Sequence, residues 1–205
     1  RDTILYTTAL CFVDTTVTST GDVFDENDNC DSLVDAIYTD VVTITCEGGY
    51  TIQRIWSVAD DCGNGVQQIQ WIEVRDTTAP TFTVPRDTIL YSSATCVKDT
   101  LTINIGDVTD EADACDNSLQ ALYRDEINTP CEGSNLILRI WSLTDVCGNV
   151  TIDTQTITVI DTFRPSFTIP RDTILFSDIS CVTNTTVSST GDVNNEQDNC
   201  DTSLD

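Results

Sequence analysis

Histidine and methionine are absent from the 205 residues, and lysine occurs once, at Lys98. Without histidine there is no Ser-His-Asp or Cys-His machinery and no imidazole ligand for zinc. Basic residues number 9 against 34 acidic ones, a formal charge of −25. That charge repels nucleic acid phosphates and anionic headgroups, so no nucleic acid partner and no membrane insertion are expected for this segment. Its natural counterpart is a hard cation such as Ca²⁺. No apolar run is long enough to span a bilayer. An initiator Met and a signal peptide are also lacking, which reads as a mature fragment of something longer. No pattern for a useful amphipathic helix occurs. What the chain does have is Thr, 34 times, with Val and Ile. β-Branched residues fit a pleated surface and lose χ1 freedom in helices, so the fold class is all-β.

The chain repeats itself with a period of 85. Arg1-Asp-Thr-Ile-Leu-Tyr6 returns as Arg86-Asp-Thr-Ile-Leu-Tyr91 and as Arg171-Asp-Thr-Ile-Leu-Phe176. Residues 1–85 and 86–170 share 42 identities without a gap, which makes them two copies of one unit. Residues 171–205 are the N-terminal part of a third, and the stop partway suggests a window cut from a tandem array. Short strands are expected at Thr3–Tyr6, 12–20, 33–45, Thr51–Val58 and Val66–Val74. Leu101, Ile103 and Ile105 alternate with polar residues in copy two, supporting the second of these. About seven strands per copy, with turns every ten residues or so, reads as a tandem Ig-like β-sandwich. The joints Asp76–Pro85 and Asp161–Pro170 carry two prolines around Phe82 or Phe167. They should be semi-rigid and make the array rod-like.

Ten cysteines, four per full copy at spacings of 19, 16 and 16, form a disulfide framework rather than a zinc site, since no CxxC pair occurs. Oxidised bridges imply an oxidising, extracellular address. In a sandwich with alternating strands, Cys30 and Cys62 lie at one end and Cys11 and Cys46 at the other. The expected bridges are therefore Cys11–Cys46, Cys30–Cys62, Cys96–Cys131 and Cys115–Cys147. The rival pairing is Cys11–Cys30 with Cys46–Cys62.

The acidic loop carries the strongest chemical signal. Asp22, Asp25, Glu26, Asp28 and Asp31, with Asp60 brought to the same end, gather oxygen ligands for Ca²⁺. Copy two repeats the set as Asp107, Asp110, Glu111, Asp113, Asp116 and Asp145. Asp76 and Asp87 are further contributors from the joint. The loop lacks EF-hand spacing, and the competing reading is a solvated acidic surface. Arg54-Ile-Trp56 and Arg139-Ile-Trp141 are expected to be core, while Trp71 has only Thr156 as its counterpart. No residues are assigned to catalysis, and the chain is not expected to be an enzyme.

Asp28-Asn-Cys-Asp31, then Arg54-Ile-Trp-Ser57 with Asp60-Asp-Cys-Gly-Asn64, then Asp76-Thr-Thr-Ala-Pro80 form a recognisable order. The pattern resembles the hyalin-like (HYR-type) Ig-like repeats of giant Bacteroidota cell-surface proteins, of the gliding-adhesin (SprB-like) kind. The resemblance covers the whole copy. It implies an Ig-like sandwich, export to the bacterial cell surface by the type IX route, and a stalk or adhesive filament role. The partners it implies are neighbouring repeats, self-association into a fibre, and a glycan or surface ligand at a distal tip. It also implies O-glycosylation at Asp-(Ser/Thr) sites, here Thr3, Thr15, Ser32, Thr77, Thr88, Thr100 and Thr173. The alternative function is a glycan- or protein-binding module, which a lone exposed aromatic such as Trp71 would favour.

Overall fold

The structure, a computed structural model, describes residues 2–204. It is built mostly of β-strands. Copy one forms β1 (Thr3–Tyr6), β2 (Ile37–Cys46), β3 (Gly49–Ala59), β4 (Gly65–Arg75) and β5 (Thr81–Thr83). Copy two forms β6 (Thr88–Tyr91), β7 (Thr109–Ala112), β8 (Leu122–Cys131), β9 (Ser134–Thr144), β10 (Val150–Ile160) and β11 (Ser166–Thr168). Copy three contributes β12 (Asn194–Gln197). Each full copy makes one four-stranded sheet, in the order β1-β4-β3-β2 and β6-β10-β9-β8. The edge strands β1 and β6 run parallel to their neighbours, and β2, β3 and β4 pair antiparallel. Two small sheets, β5-β7 and β11-β12, each pair a joint with the acidic loop that follows it.

The pleat decides which side chains are buried. Ile52, Arg54 and Trp56 of β3 and Gln70, Ile72 and Val74 of β4 are buried, and the residues between them are more exposed. Copy two repeats this with Ile137, Arg139, Trp141, Gln155, Ile157 and Val159. Each fully buried Ile or Val contributes about 1.5–3 kcal/mol. Both Arg-Ile-Trp tryptophans are core, as expected.

A polar rung crosses the middle of the apolar face. Asp40, Arg54 and Gln70 stand opposite one another on β2, β3 and β4. The Arg54 guanidinium forks onto Asp40 at 2.8 and 2.9 Å and lies 4.2 Å over the Tyr38 ring. It also donates to the Thr20 Oγ1 at 2.6 Å and the Thr15 carbonyl at 2.7 Å. Gln70 donates to the Thr20 carbonyl at 2.8 Å and accepts from the Trp56 indole at 3.2 Å. Hydrogen bonding to Asp40 raises the guanidinium pKa above its ordinary value.

That rung explains the main departure from the expected strands. Residues 12–20 show alternating burial but form no ladder, and Val17–Thr20 is a single helical turn. Their carbonyls are taken by Arg54 and Gln70 side chains, so the segment covers the sheet without a strand partner. In copy two, Thr102–Ile105 is likewise one helical turn, not a strand. Ile105 there packs on Ile137, Ile157 and Val159. The expected runs at 33–45, 51–58 and 66–74 are present, as β2, β3 and β4.

The chain divides into two compact units: Arg1–Val84 with Val108–Tyr123 and Trp141–Asp153, and Pro85–Asp107 with Arg124–Ile140 and Thr154–Asp205. Copy one thus shares a unit with the acidic loop and last hairpin turn of copy two. No helix among the described residues is long and apolar enough to cross a membrane.

Asp40→Ala leaves a buried guanidinium without its counter-ion and is expected to cost about 3 kcal/mol in urea unfolding. A loss under 1 kcal/mol would show that the rung does not hold the covering segment.

Candidate functional site: the junction between copies

The cysteines join different copies. Cys11 is bonded to Cys115, Cys46 to Cys147 and Cys96 to Cys200, at sequence separations of 104, 101 and 104. Their Cα atoms stand 5.0, 5.3 and 5.0 Å apart, ordinary disulfide spacing. The expected bridges Cys11–Cys46, Cys30–Cys62, Cys96–Cys131 and Cys115–Cys147 are not formed, nor is the rival pairing. Cys30, Cys62, Cys131 and Cys181 are free and exposed. The placement by ends is nevertheless the observed one. Cys11 and Cys46 lie together at one end of copy one, and Cys115 and Cys147 at the end of copy two that meets it. The bridges cross the junction because Cys11 and Cys46 each bond a cysteine of the next copy rather than each other.

Local backbone aims these side chains. Cys11 closes a turn, donating its amide to the Thr8 carbonyl at 2.9 Å, and has φ 54°; Cys96 and Cys181 repeat it at 56° and 58°. Positive φ is uncommon outside glycine, so a recurrence at one position in all three copies is a built feature. Cys46 ends β2 at a two-residue turn, Glu47-Gly48. Gly48 has φ +81°, and a Cβ there would lie 2.4 Å from Cys115 Sγ and 3.2 Å from Cys11 Sγ. Gly133, in the same place in copy two, would meet Cys200 Sγ at 2.8 Å. The recurring Cys-Glu-Gly was the sequence signal for this close approach.

On the facing side, the loop and hairpin of copy two are tied together. Asp116 accepts from the Ser118 amide at 2.8 Å and the Val146 amide at 3.0 Å. Asp145 caps the Cys147 and Asn149 amides at 2.9 and 2.8 Å, and Asn149 reaches the Asp76 carbonyl at 3.3 Å. Thr151 donates to the carbonyl of buried Pro80. β5 adds to β7, pairing Thr81 with Ala112 and Thr83 with Thr109. The joint is therefore a strand of the following loop, not a tether.

The acidic residues expected to gather around Ca²⁺ mostly cap backbone amides instead. Asp28 holds Cys30 and Asp31, Asp31 holds Leu33 and Asp61, and Asp60 holds Cys62 and Asn64. Glu26 and Glu111 accept from Ala36 and Ala121, and Asp22 from Val23. Backbone amides lower the pKa of Asp28 and, with Ser118 first, that of Asp116; the Asn64 side chain does so for Asp60. Asp25 and Asp110 sit at positive φ in the exposed loop, and Asp107 is exposed beside it. Among the described residues only Asp76, Asp113 and Cys115 converge, their ligand atoms all within 4.8 Å of one another. Cys115 is in a disulfide, so two carboxylates remain. Asp76 Oδ1 accepts from Thr7 Oγ1 and the Thr78 amide, both at 3.0 Å, and Asp113 Oδ1 from the Cys115 and Asp116 amides. The Oδ2 of each is buried with no hydrogen-bond partner. Of the expected loop ligands Asp113 alone belongs to this pair, and of the two expected contributors from the joint Asp76 does.

Of the expected glycosylation residues, Ser32, Thr77 and Thr173 are exposed, and Thr3, Thr15, Thr88 and Thr100 are half-buried. Trp71 is 49% exposed on β4.

No protein-family model and no curated protein matches the chain. Among solved structures, the human desmocollin-1 ectodomain matches at 15% identity with a TM-score of 0.24, over 61% of this chain and 31% of that one. The chain thus spans less than a third of that ectodomain.

Gly48→Ala is expected to block closure of Cys11–Cys115 through positive φ and contact with sulfur. Free thiols should rise from four to six per chain in denaturant; an unchanged count would show that the turn tolerates a Cβ.

Proposed function

We propose that this chain is a stalk or filament segment of an extracellular repeat protein, with copies coupled covalently in series. The observation that carries the reading is the pair of disulfides joining copy one to copy two. Followed from end to end, the shortest covalent path runs to Cys11, across to Cys115, back to Cys96 and across to Cys200. It includes about 35 residues, which extend to about 120 Å, against about 700 Å for the whole chain. Such wiring makes a segment that resists pulling even when its sheets unfold, which suits a load-bearing connector better than an enzyme. Oxidised bridges fit an extracellular location. The repeat motifs favour the Ig-like surface-array reading, with exposed Ser32, Thr77 and Thr173 as its glycosylation sites. Exposed Trp71 supports the second reading, a glycan- or protein-binding module, but it is a feature of one copy.

Calcium has a narrower place in this reading. Two neighbouring carboxylates, each with a buried and unpartnered Oδ2, are compatible when a cation lies between them. We infer that Asp76 and Asp113 share a Ca²⁺ ion whose remaining ligands are water and backbone oxygen. Asp161 and Asp198 stand at the corresponding sequence positions after copy two, but among the described residues they do not converge with Cys200 as Asp76 and Asp113 do with Cys115.

Single-molecule pulling from the two termini tests the wiring. Oxidised protein should stop near 120 Å until a bond breaks, and reduced protein should reach several-fold further. Full extension without reductant would refute the proposal. For calcium, the thermal midpoint should rise by several degrees between EGTA and millimolar Ca²⁺, and the Asp113→Asn variant should not respond. Superimposable wild-type curves would remove the ion.

A further inference from the structure

The three bridges follow one rule: a Cys11-type residue bonds the Cys30-type residue of the next copy, and a Cys46-type bonds the next Cys62-type. Under that rule the free cysteines are not surplus. Cys30 and Cys62 are the receiving pair of copy one, while Cys131 and Cys181 are donors whose receivers would belong to the rest of copy three and to a fourth copy. Cys181 already holds the φ of 58° seen at bonded Cys11 and Cys96, so its turn is set before any bond forms.

A second, independent feature lies beside the receiving pair. In copies two and three the acidic loop contains a strand, β7 or β12, paired to the preceding joint. The same residues in copy one, 24–27, form no strand. There the loop instead borders an open cleft of about 620 Å³, lined by Asp22, Phe24, Asn27, Ala36, Trp56 and Ile69 among others. Phe24 is 82% exposed. The register β5 adopts on β7, with Thr81 against Ala112 and Thr83 against Thr109, maps onto Asn27 and Phe24. In copies two and three the corresponding residues are occupied by the joint strand that precedes them.

We propose that this face of copy one is an acceptor for the end of another repeat of the same type. The arriving joint contributes its Thr-Phe-Thr strand to residues 24–27, and its Cys11- and Cys46-type residues bond Cys30 and Cys62. Each bond forms from two thiols with loss of two protons and two electrons. A small-molecule or protein disulfide takes these up and is reduced to two thiols. Docking brings each cysteine pair together before oxidation, which favours the correct pairing over random bridges. The proposal rests on the serial-coupling reading but concerns a surface that reading leaves open.

The test is a chain in which residues 1–85 are placed once more ahead of the intact 205 residues, refolded in a glutathione buffer beside the original. Both should carry four free thiols, although the longer chain has four more cysteines. Non-reducing digests should recover Cys30 and Cys62 joined to the added copies of Cys11 and Cys46. Amides of residues 24–27 should become protected from hydrogen exchange. Eight free thiols, or Cys30 and Cys62 still open to alkylation, would overturn the assignment. A second version with serine at the two added donor positions separates docking from bonding. It should still protect residues 24–27, and exchange as fast as in the original chain would overturn the cleft's role. Failure here with short extension in the pulling experiment would sink the acceptor face alone; long extension would sink the serial reading itself.

Discussion

Everything distinctive about this molecule depends on where two sulfur bridges lead. A bridge within a copy would staple one small sheet and leave the joint to its prolines. A bridge across the junction makes the following copy's loop part of the preceding copy's structure. Cross-linking over a loop of about 100 residues removes roughly 4–5 kcal/mol of chain entropy from the unfolded state. Two such bridges with interleaved loops make neighbouring copies unfold as a coupled pair. In a longer series the covalent path would enter each copy at its Cys30-type residue and leave at its Cys11-type residue, through 20 of every 85 residues.

The sheets that carry these bridges are thin. Each full copy has one four-stranded sheet, and its apolar face is covered by chain held through side chains rather than by a second ladder. The buried arginine makes this workable. Four hydrogen bonds from its guanidinium satisfy Asp40, the Thr15 carbonyl and the Thr20 hydroxyl at once. In copy two Ile105 replaces Thr20, and the cover there gains apolar packing while Arg139 keeps its fork on Asp125. The covering segment then runs back toward Cys11, so the polar rung and the junction share one stretch of chain.

Much of this was legible in the sequence, and the misses share a cause. The expected strands Thr51–Val58 and Val66–Val74 located β3 and β4, and both Arg-Ile-Trp tryptophans, expected in the core, are inside. Chain topology put Cys11 with Cys46 and Cys30 with Cys62 at opposite ends, as the structure does. The sequence of one copy cannot say whether a cysteine at an end faces its own copy or a neighbour: the observed bridges join the residue types of the rival pairing, Cys11 with Cys30 and Cys46 with Cys62, one period further on. Residues 12–20 read as a strand because Leu101, Ile103 and Ile105 alternate with polar residues in the equivalent segment of copy two; what the segment lacks is a backbone partner, and no pattern within it reveals that. The acidic residues read as metal ligands because carboxylates cluster in the chain. In the loop most turn onto their own amides, as Asp and Asn do in tight turns. Asp113 differs from Asp28 only because Asp76 of the copy before stands opposite it.

The measurement that bears most directly on this account is a non-reducing peptide map of the 205-residue chain, cut between its cysteines and read by mass spectrometry. The account requires Cys11 to be recovered with Cys115, and Cys46 with Cys147. Recovery of Cys11 with Cys46 or with Cys30 would return each bridge to its own copy and contradict it.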